Sequence, residues 1–327
     1  MTAVVGHAAA QAAFLGALRS GSLHHAWLLA GPEGVGKARF ARMAAARMLA
    51  EAGGEPPLAA GLDTPDDHPT RRLIEAGSHP DLRILSRLTK VSDTGQDTIA
   101  RSITIDQVRS LQPMFATSPS LGPRRVVIID AIDDLERGGA NALLKNLEEP
   151  PAGTIFLLVS HAPGRLLPTI RSRCRQLCFG DLSREEMRQV LTVTLPEADE
   201  VDLRGAIEAG EGSPGRALQF AGLEIAALDE AIGRLIRSGD PANAERVKLA
   251  QSLSAKAAQP RYEAFLERAP AAIAAEARSR TGADLNLALD AHRDARDLAG
   301  AATGLSLDPQ VTVFEMAGIV ARLASRA

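Results

Sequence analysis

The chain has 327 residues, of which 45% are hydrophobic and 24% charged, and its net charge is −3. This length exceeds that of a typical single domain, and the composition excludes a fibrous or wholly disordered chain. The near balance of 37 basic and 40 acidic residues excludes a globally basic DNA-binding surface, so any contact with DNA must be local or made through partners.

The two cysteines, Cys174 and Cys178, are too few for a disulfide scaffold and suit a reducing cytoplasm. We expect both to be small buried hydrophobic residues, because two thiols alone do not complete a metal site. The N-terminus lacks the basic stretch and apolar core of a signal peptide, and no apolar run approaches the roughly 18 residues of a membrane span. The sequence therefore predicts a cytoplasmic protein without a membrane segment.

The first 180 residues predict helices that alternate with strands. Helices are expected over 8–19, 39–49, 105–117 and 140–149, and strands over 26–30, 124–130 and 154–160. Residues 51–80 carry Gly, Pro and Asp clusters with little periodicity, which predicts a loop or an insertion. Strands that alternate with helices indicate a doubly wound parallel sheet, so the predicted fold class is α/β.

Beyond residue 180 the strand pattern disappears. Short helices are expected over 183–193 and 214–221, the second opened by Ser213 as N-cap and Pro214 at the first helical position. From about residue 223 the chain is rich in Ala, Leu and Arg, and apolar residues recur at helical spacing in two stretches: Tyr262, Phe265, Leu266 and Ala269, then Val313, Met316, Ala317 and Val320. We predict three domains, with boundaries at 1–180, 181–222 and 223–327.

A Gly-Pro-Glu-Gly-Val-Gly-Lys-Ala stretch lies between a predicted strand and a predicted helix. In this context Gly31, Gly34 and Gly36 permit a tight loop whose N–H groups face an anion, and Lys37 adds a positive charge. This pattern predicts a phosphate-binding loop (P-loop). Ala38 stands where a Ser or Thr hydroxyl would hold Mg²⁺, so the loop either binds nucleotide weakly or keeps only its turn geometry.

A second nucleotide signal is the apolar strand that ends at Asp130, because its carboxylate would lie beside the Mg²⁺ of a P-loop site. Ala131 stands where hydrolysing, ring-forming P-loop ATPases carry the glutamate that orients water. Asp133 and Asp134 are expected in the following turn, in solvent and pointing away from the site. Because the Mg²⁺ hydroxyl and the base are both absent, the sequence predicts a chain that does not turn over ATP by itself.

Several motifs together resemble the bacterial clamp-loader ATPases of the AAA+ family. They are Leu23-His-His-Ala-Trp-Leu-Leu-Ala-Gly-Pro32, Ser78-His-Pro-Asp-Leu82, Ile105-Asp-Gln-Val-Arg109, Ala140-Asn-Ala-Leu-Leu-Lys-Asn-Leu-Glu-Glu-Pro-Pro151, Thr154-Ile-Phe-Leu-Leu-Val-Ser160, Pro168-Thr-Ile-Arg-Ser-Arg-Cys174 and Gly212-Ser-Pro-Gly-Arg-Ala217. The resemblance extends over residues 5–180 and the last of these motifs. It implies an AAA+ P-loop domain with a parallel sheet, a small helical lid domain and a C-terminal helical collar domain that serves oligomerisation.

The resemblance also implies roles for single residues. Arg173, in a Ser-Arg-Cys motif, would be an arginine finger that reaches the ATP of a neighbouring subunit, a task that suits a permanently charged, forked guanidinium. Ser160 would be the sensor at the end of a central strand, or an ordinary strand-terminal serine. Arg216 would be the second sensor, although Ala38 and Ala131 argue against a nucleotide for it to sense.

The resemblance implies a non-hydrolysing subunit that helps to load a sliding clamp on primed DNA within a replicative polymerase holoenzyme and that requires no cofactor of its own. The implied partners are the motor (gamma or tau) and delta subunits of a hetero-oligomeric ring, with the sliding clamp and primer–template DNA contacted through the assembly, in the cytoplasm at the replisome. The alternatives are an autonomous or motor-type AAA+ ATPase, which Ala38 and Ala131 disfavour, and a free-standing DNA-binding factor, which the net charge disfavours.

Many relatives in this family carry a four-cysteine zinc module after the P-loop helix. The corresponding residues 49–83 contain no cysteine here, so we predict no zinc. The remaining possible ligands, His68, His79, Asp66 and Asp67, are expected to be surface residues.

Overall fold

The structure, a computed structural model, describes residues 4–54, 58–91, 97–223, 225–305 and 307–324. It divides into two compact units, of which the first comprises Met1–Pro196 and Glu211–Arg216 and the second Glu197–Gly210 and Ala217–Ala327. The finer division into three domains stays a prediction.

The first unit is built on a parallel sheet. Its strands are β1 (Ala26–Ala30), β2 (Leu82–Ser86), β5 (Arg125–Asp130), β6 (Thr154–Ser160) and β7 (Arg175–Cys178). The order across the sheet is β2-β5-β6-β1-β7, and every neighbouring pair is parallel. A separate antiparallel pair is formed by β3 (Thr89–Val91) and β4 (Asp97–Ile99). The predicted α/β fold with a parallel sheet is confirmed.

Helices cover both faces of this sheet. They are α1 (Ala8–Arg19), α2 (Lys37–Ala52), α3 (Pro69–Glu75), α4 (Ile105–Arg109), α5 (Gln112–Phe115), α6 (Arg137–Glu148), α7 (Pro168–Arg171) and α8 (Arg184–Thr194). Strand β1, which lies between β6 and β7, shows the two layers, because Trp27 and Leu29 pack in one core and Leu28 and Ala30 in the other. Alternate side chains of a strand point to opposite faces, so a strand buried on both faces reads as continuously apolar.

The second unit is helical in the part that the structure describes. Its helices are α9 (Glu200–Gly210), α11 (Ile225–Ser238), α12 (Ala244–Leu253), α13 (Gln259–Ala277), α14 (Gly282–Leu305) and α15 (Pro309–Ala321), while α10 (Pro214–Phe220) begins in the first unit and ends in the second. The apolar residues that recur at helical spacing on α13 and α15 are buried in one core. The helical C-terminal region is therefore confirmed.

The stretch 51–80, predicted as a loop or an insertion, contains one helix, α3, over residues 69–75, whereas residues 55–57 of that stretch lie outside the described residues. His68 caps α3, because its Nδ1 accepts a hydrogen bond from the amide of Thr70, and a proline follows at the first helical position. His68 and His79 are buried, contrary to the surface position expected for them. The helix is short, so its periodicity is too weak to recognise.

The buried side chain of Arg71 organises this segment. Its guanidinium pairs with the carboxylates of Asp66 and Glu75 and donates to the carbonyl oxygen of Thr64. Acidic residues around one buried arginine thus help to hold this stretch together.

The single helix predicted over 105–117 is also wrong, because the chain forms α4 and α5 with a break at residues 110–111. Pro113 explains the break, since a proline within a helix removes one backbone hydrogen bond and its ring clashes with the carbonyl four residues earlier. Cys178 is exposed, against expectation, because β7 is an edge strand and Cys178 lies on its outer side. Cys174 is half-buried, and burial raises the pKa of its thiol to about 12.

Candidate functional site

The P-loop follows the carboxyl end of β1 and leads into α2, as predicted. Its glycines adopt positive φ angles, 76° at Gly34 and 106° at Gly36. A side chain at Gly34 would meet the hydroxyl of Ser213, so this position requires glycine for its conformation and for close packing.

Lys37, at the start of α2, is only 2% exposed. Its Nζ donates to the carbonyl oxygen of Gly31 at 2.7 Å and to that of Pro32. Burial lowers the pKa of Lys37 to about 8, although nearby carboxylates act in the opposite direction. The positive charge of the loop is therefore directed at the carbonyl groups of the loop itself.

The segment 211–216 packs directly on the P-loop. Ser213 Oγ donates to the carbonyl oxygen of Glu33 at 2.9 Å, and the amide of Gly215 donates to that of Gly34 at 2.9 Å. Ser213 Oγ also accepts the amide of Arg216 at 3.2 Å, as a helix N-cap does. The Arg216 guanidinium pairs with Glu211 at 2.8 Å. A role of Arg216 as a second sensor stays a prediction.

Asp130 lies at the carboxyl end of β5, near the P-loop. Burial raises the pKa of its carboxyl group, whereas the nearby basic side chains of His161, Arg42 and Lys37 counteract this shift. The next residue, Ala131, presents a buried methyl group where a hydrolytic site needs a carboxylate.

Asp133 does not point into solvent, contrary to the prediction. Its carboxylate accepts hydrogen bonds from Ser160 Oγ at 3.0 Å and from the amides of His161 at 2.7 Å and Ala162 at 3.2 Å. The 3-10 turn Ile132–Asp134 folds back over the end of β6 and thereby brings this carboxylate to the sensor position. The hydroxyl of Ser160 is thus bound within the chain, and its role as a sensor stays a prediction.

Arg173 lies near the amino ends of the sheet strands, whereas the P-loop lies at their carboxyl ends. It precedes β7, whose first residue Arg175 pairs with Trp27 near the amino end of β1, whereas the P-loop leaves the carboxyl end of β1. Strand β1 has five residues from one end to the other, and its four steps of ~3.3 Å span about 13 Å. Arg173 is therefore remote from the P-loop of its own chain.

Two groups of the same chain contact the guanidinium of Arg173. Its Nη2 contacts Glu148 Oε1 at 2.7 Å, its Nη1 donates to the carbonyl oxygen of Thr169 at 2.9 Å, and 34% of the side chain stays exposed. The flanking residues differ, because Arg171 is exposed and Arg175 packs over the ring of Trp27.

The family assignment follows from the part of the chain that contains these sites. A family described as "DNA polymerase III, delta subunit" matches residues 6–183, which is more than half of the chain. The chain belongs to this family. The resemblance inferred from the sequence motifs is thereby confirmed.

Curated relatives agree with this family. A protein named DNA polymerase III subunit delta' from Pseudomonas aeruginosa is 36% identical over 190 residues, which are 58% of this chain and 53% of the relative. The Escherichia coli protein of that name is 36% identical over 182 residues, 52% of this chain and 49% of the relative. E. coli DNA polymerase III subunit tau is 34% identical over 232 residues, 69% of this chain and 33% of tau. The chain spans about half the length of the delta' relatives.

A solved structure of a DNA polymerase III gamma subunit-related protein from Thermotoga maritima aligns with 94% of this chain and 98% of that chain, with 17% identity and a TM-score of 0.43. Within the described residues no group of three or more His, Cys, Asp or Glu is placed to hold a metal ion. In the same residues no helix combines the length and apolarity needed to cross a bilayer.

The sequence missed two residues of these sites, Asp133 and Glu148. An aspartate in a turn after a strand is too common to indicate its partner, and Glu148 ends a helix whose pattern predicts only an exposed acidic residue. The structure brings Lys37, Asp130, Asp133 and Ser160 to the carboxyl ends of the strands and leaves Arg173 near the amino ends.

Proposed function

We propose that this chain serves as a delta' subunit of the clamp loader of DNA polymerase III, a part of the ring that does not hydrolyse ATP and that lends Arg173 to a neighbouring motor subunit. The observation that carries the proposal is the position of Arg173. It is held near the amino ends of the strands, whereas its own P-loop lies at their carboxyl ends. A finger in that place cannot serve the chain's own loop and is available to the next subunit.

The residues at the P-loop do not fit a hydrolytic Mg²⁺–ATP complex. Ala38 offers no oxygen to Mg²⁺, and Ala131 offers no carboxylate to orient water. Lys37 is bound by the carbonyls of Gly31 and Pro32. The loop is a vestige that holds nucleotide weakly or not at all, and the chain requires no cofactor or zinc of its own.

The chemistry assigned to Arg173 is electrostatic. The guanidinium would stabilise the charge that builds on the γ-phosphate of the neighbour's ATP in the transition state, and its planar fork suits phosphate oxygens. Arginine fingers contribute roughly 10³–10⁵ in rate where a single site is measured. In this assembly the chain would contact the motor and delta subunits directly and the sliding clamp and primer–template DNA through the complex, at the cytoplasmic replisome.

The test is Arg173→Ala in a loader reconstituted with the motor and delta subunits of the same organism. Assembly, measured by size-exclusion chromatography, should be unchanged, while the ATPase stimulated by clamp and primed DNA should fall in part, because the motor subunits supply fingers to the other sites. Arg173→Lys should recover little activity, since an ammonium lacks the planar fork.

Arg171→Ala is the matched control, because Arg171 is exposed two residues away. Arg175→Ala is a second control for general charge. Equal losses of ATPase activity in all three alanine variants would indicate a diffuse basic patch and not a specific finger. Full activity of Arg173→Ala in the assembled loader would refute the proposal.

A further inference from the structure

Glu148 contacts the guanidinium of Arg173. It is the last residue of α6, and its Oε1 lies 2.7 Å from Nη2 of Arg173. The carbonyl oxygen of Thr169 accepts Nη1 of the same guanidinium at 2.9 Å. Two groups from different elements therefore hold adjacent corners of the guanidinium.

The C-terminal turn of α6, which carries Glu148, is held by a buried side chain and a hydrogen bond. Leu147, its neighbour, is buried in the core beside the sheet, and the carbonyl oxygen of Leu147 accepts a hydrogen bond from His25 Nε2 at 3.1 Å. This bond satisfies one of the carbonyls that a helix leaves free at its C-terminus. The end of α6 is thus tied to the residue that precedes β1. The helix C-terminus also favours a cation beside it.

A guanidinium has five N–H donors, and the contacts with Glu148 and Thr169 use two of its nitrogens. Donors remain for phosphate oxygens. An ion pair as open to solvent as this one, in which Glu148 is 49% exposed, contributes little to stability. Its effect is to restrict a long side chain that otherwise loses much rotamer freedom when it binds.

We propose that Glu148 is a positioning residue that holds Arg173 in the conformation in which it meets the neighbouring subunit's ATP. This inference rests on the proposed function. The opposite arrangement, in which the carboxylate competes with phosphate for the guanidinium, predicts the reverse effect on rate and is therefore an outcome of the test.

The experiment uses Glu148→Gln in the reconstituted loader, with Glu149→Gln as the matched control because it removes the next carboxylate along the chain. Glu148→Gln should lower the stimulated kcat by about twofold to fivefold without changing the KM for ATP. The melting temperature and the assembly should stay those of the wild type. Glu148→Asp, which keeps the charge on a shorter side chain, should recover part of the loss, and Glu149→Gln should behave as wild type.

A double mutant separates positioning from a structural role. In the Arg173→Ala background, Glu148→Gln should cause no further loss, because it acts only through the arginine. A further loss there, or an unchanged or increased kcat for the single Glu148→Gln variant, would overturn the inference while Arg173→Ala still supports the proposed function. If Arg173→Ala itself had no effect, both would fall together.

Discussion

At the scale of single residues, the ammonium of Lys37 is held by the carbonyl oxygens of its own loop. A P-loop lysine that serves catalysis meets phosphate, whereas burial of this lysine lowers its pKa and so disfavours its charged form. The carbonyl oxygens of Glu33 and Gly34 are engaged in a similar way, by the hydroxyl of Ser213 and the amide of Gly215. The loop retains its shape because other parts of the chain bind it.

The lowered pKa of Lys37 predicts a pH dependence of stability. The folded chain releases this proton near pH 8, whereas the unfolded chain keeps it up to the ordinary value of 10.5. Between these values the unfolded state binds more protons, so the free energy of unfolding rises with pH, by at most about 1.4 kcal/mol per pH unit.

Urea unfolding of the wild type and of Lys37→Met at pH 7.5 to 9.5 would measure this effect as a difference that grows with pH. Lys145→Met, which removes an exposed lysine, is the control. A constant difference between wild type and Lys37→Met would show that Lys37 keeps its proton throughout this range.

The contact between Gly34 and Gly215 predicts that neither tolerates a side chain. A Cβ at Gly215 would lie 2.7 Å from the Cα of Gly34, so the backbone must shift. We expect Gly215→Ala to lower the free energy of unfolding by about 1–3 kcal/mol. Gly205→Ala is the matched control, since no atom lies within 4 Å of a Cβ at this helical glycine, and it should stabilise by about 0.5–1 kcal/mol. Equal effects in urea unfolding would argue against the close contact.

At the scale of elements, α3 shows how a segment without a periodic pattern acquires structure. Arg71 binds Asp66, Glu75 and the carbonyl of Thr64, and Asp81 accepts the amides of Ser120 at 2.7 Å and Leu121 at 2.8 Å. Buried polar groups with partners hold the segment together with Leu62 and Ile74, which pack in the apolar core of the first unit.

Arg71→Met should therefore destabilise the protein by about 1–3 kcal/mol, because it leaves a buried carbonyl without a donor and separates three neighbouring polar groups. Arg72→Met is the control, since Arg72 is exposed on the same helix. A chelator should leave the melting temperature of the wild type unchanged. A fall on chelation would reveal a bound metal, and equal stability of the two variants would show that Arg71 does not organise the segment.

At the scale of the whole molecule, the P-loop unit and the helical unit have separate cores. Because Ala38 and Ala131 remove two functions of a hydrolytic site, we expect the isolated chain to show no ATP turnover above background. Measurable hydrolysis that is lost in Lys37→Ala would instead support a motor-type ATPase.

The double variant Ala38→Thr with Ala131→Glu should also stay inactive in isolation, because the site still lacks an arginine from a neighbour. Robust ATP hydrolysis by this variant would show a self-sufficient site.

The sequence by itself determined the parallel α/β sheet, the glycine-rich loop between β1 and α2, and the family, and it predicted that the loop lacks two functions of a hydrolytic site. Each of these depends on residues close together in the chain: apolar runs bounded by turn residues, a glycine-rich loop before a helix, and the alanines that occupy the Mg²⁺ and base positions. The break between α4 and α5 was also present locally, in Pro113, and was overlooked.

Only the tertiary structure decided which side chains meet. Asp133 with Ser160 and Glu148 with Arg173 are each 25 or more positions apart in the chain, and the location of Arg173 away from its own P-loop follows from the parallel pairing of β7 with β1. Helix and strand patterns reflect hydrophobic periodicity along the chain, whereas polar pairs depend on how strands and helices pack. The orientation of each polar side chain is set by partners that no local pattern contains.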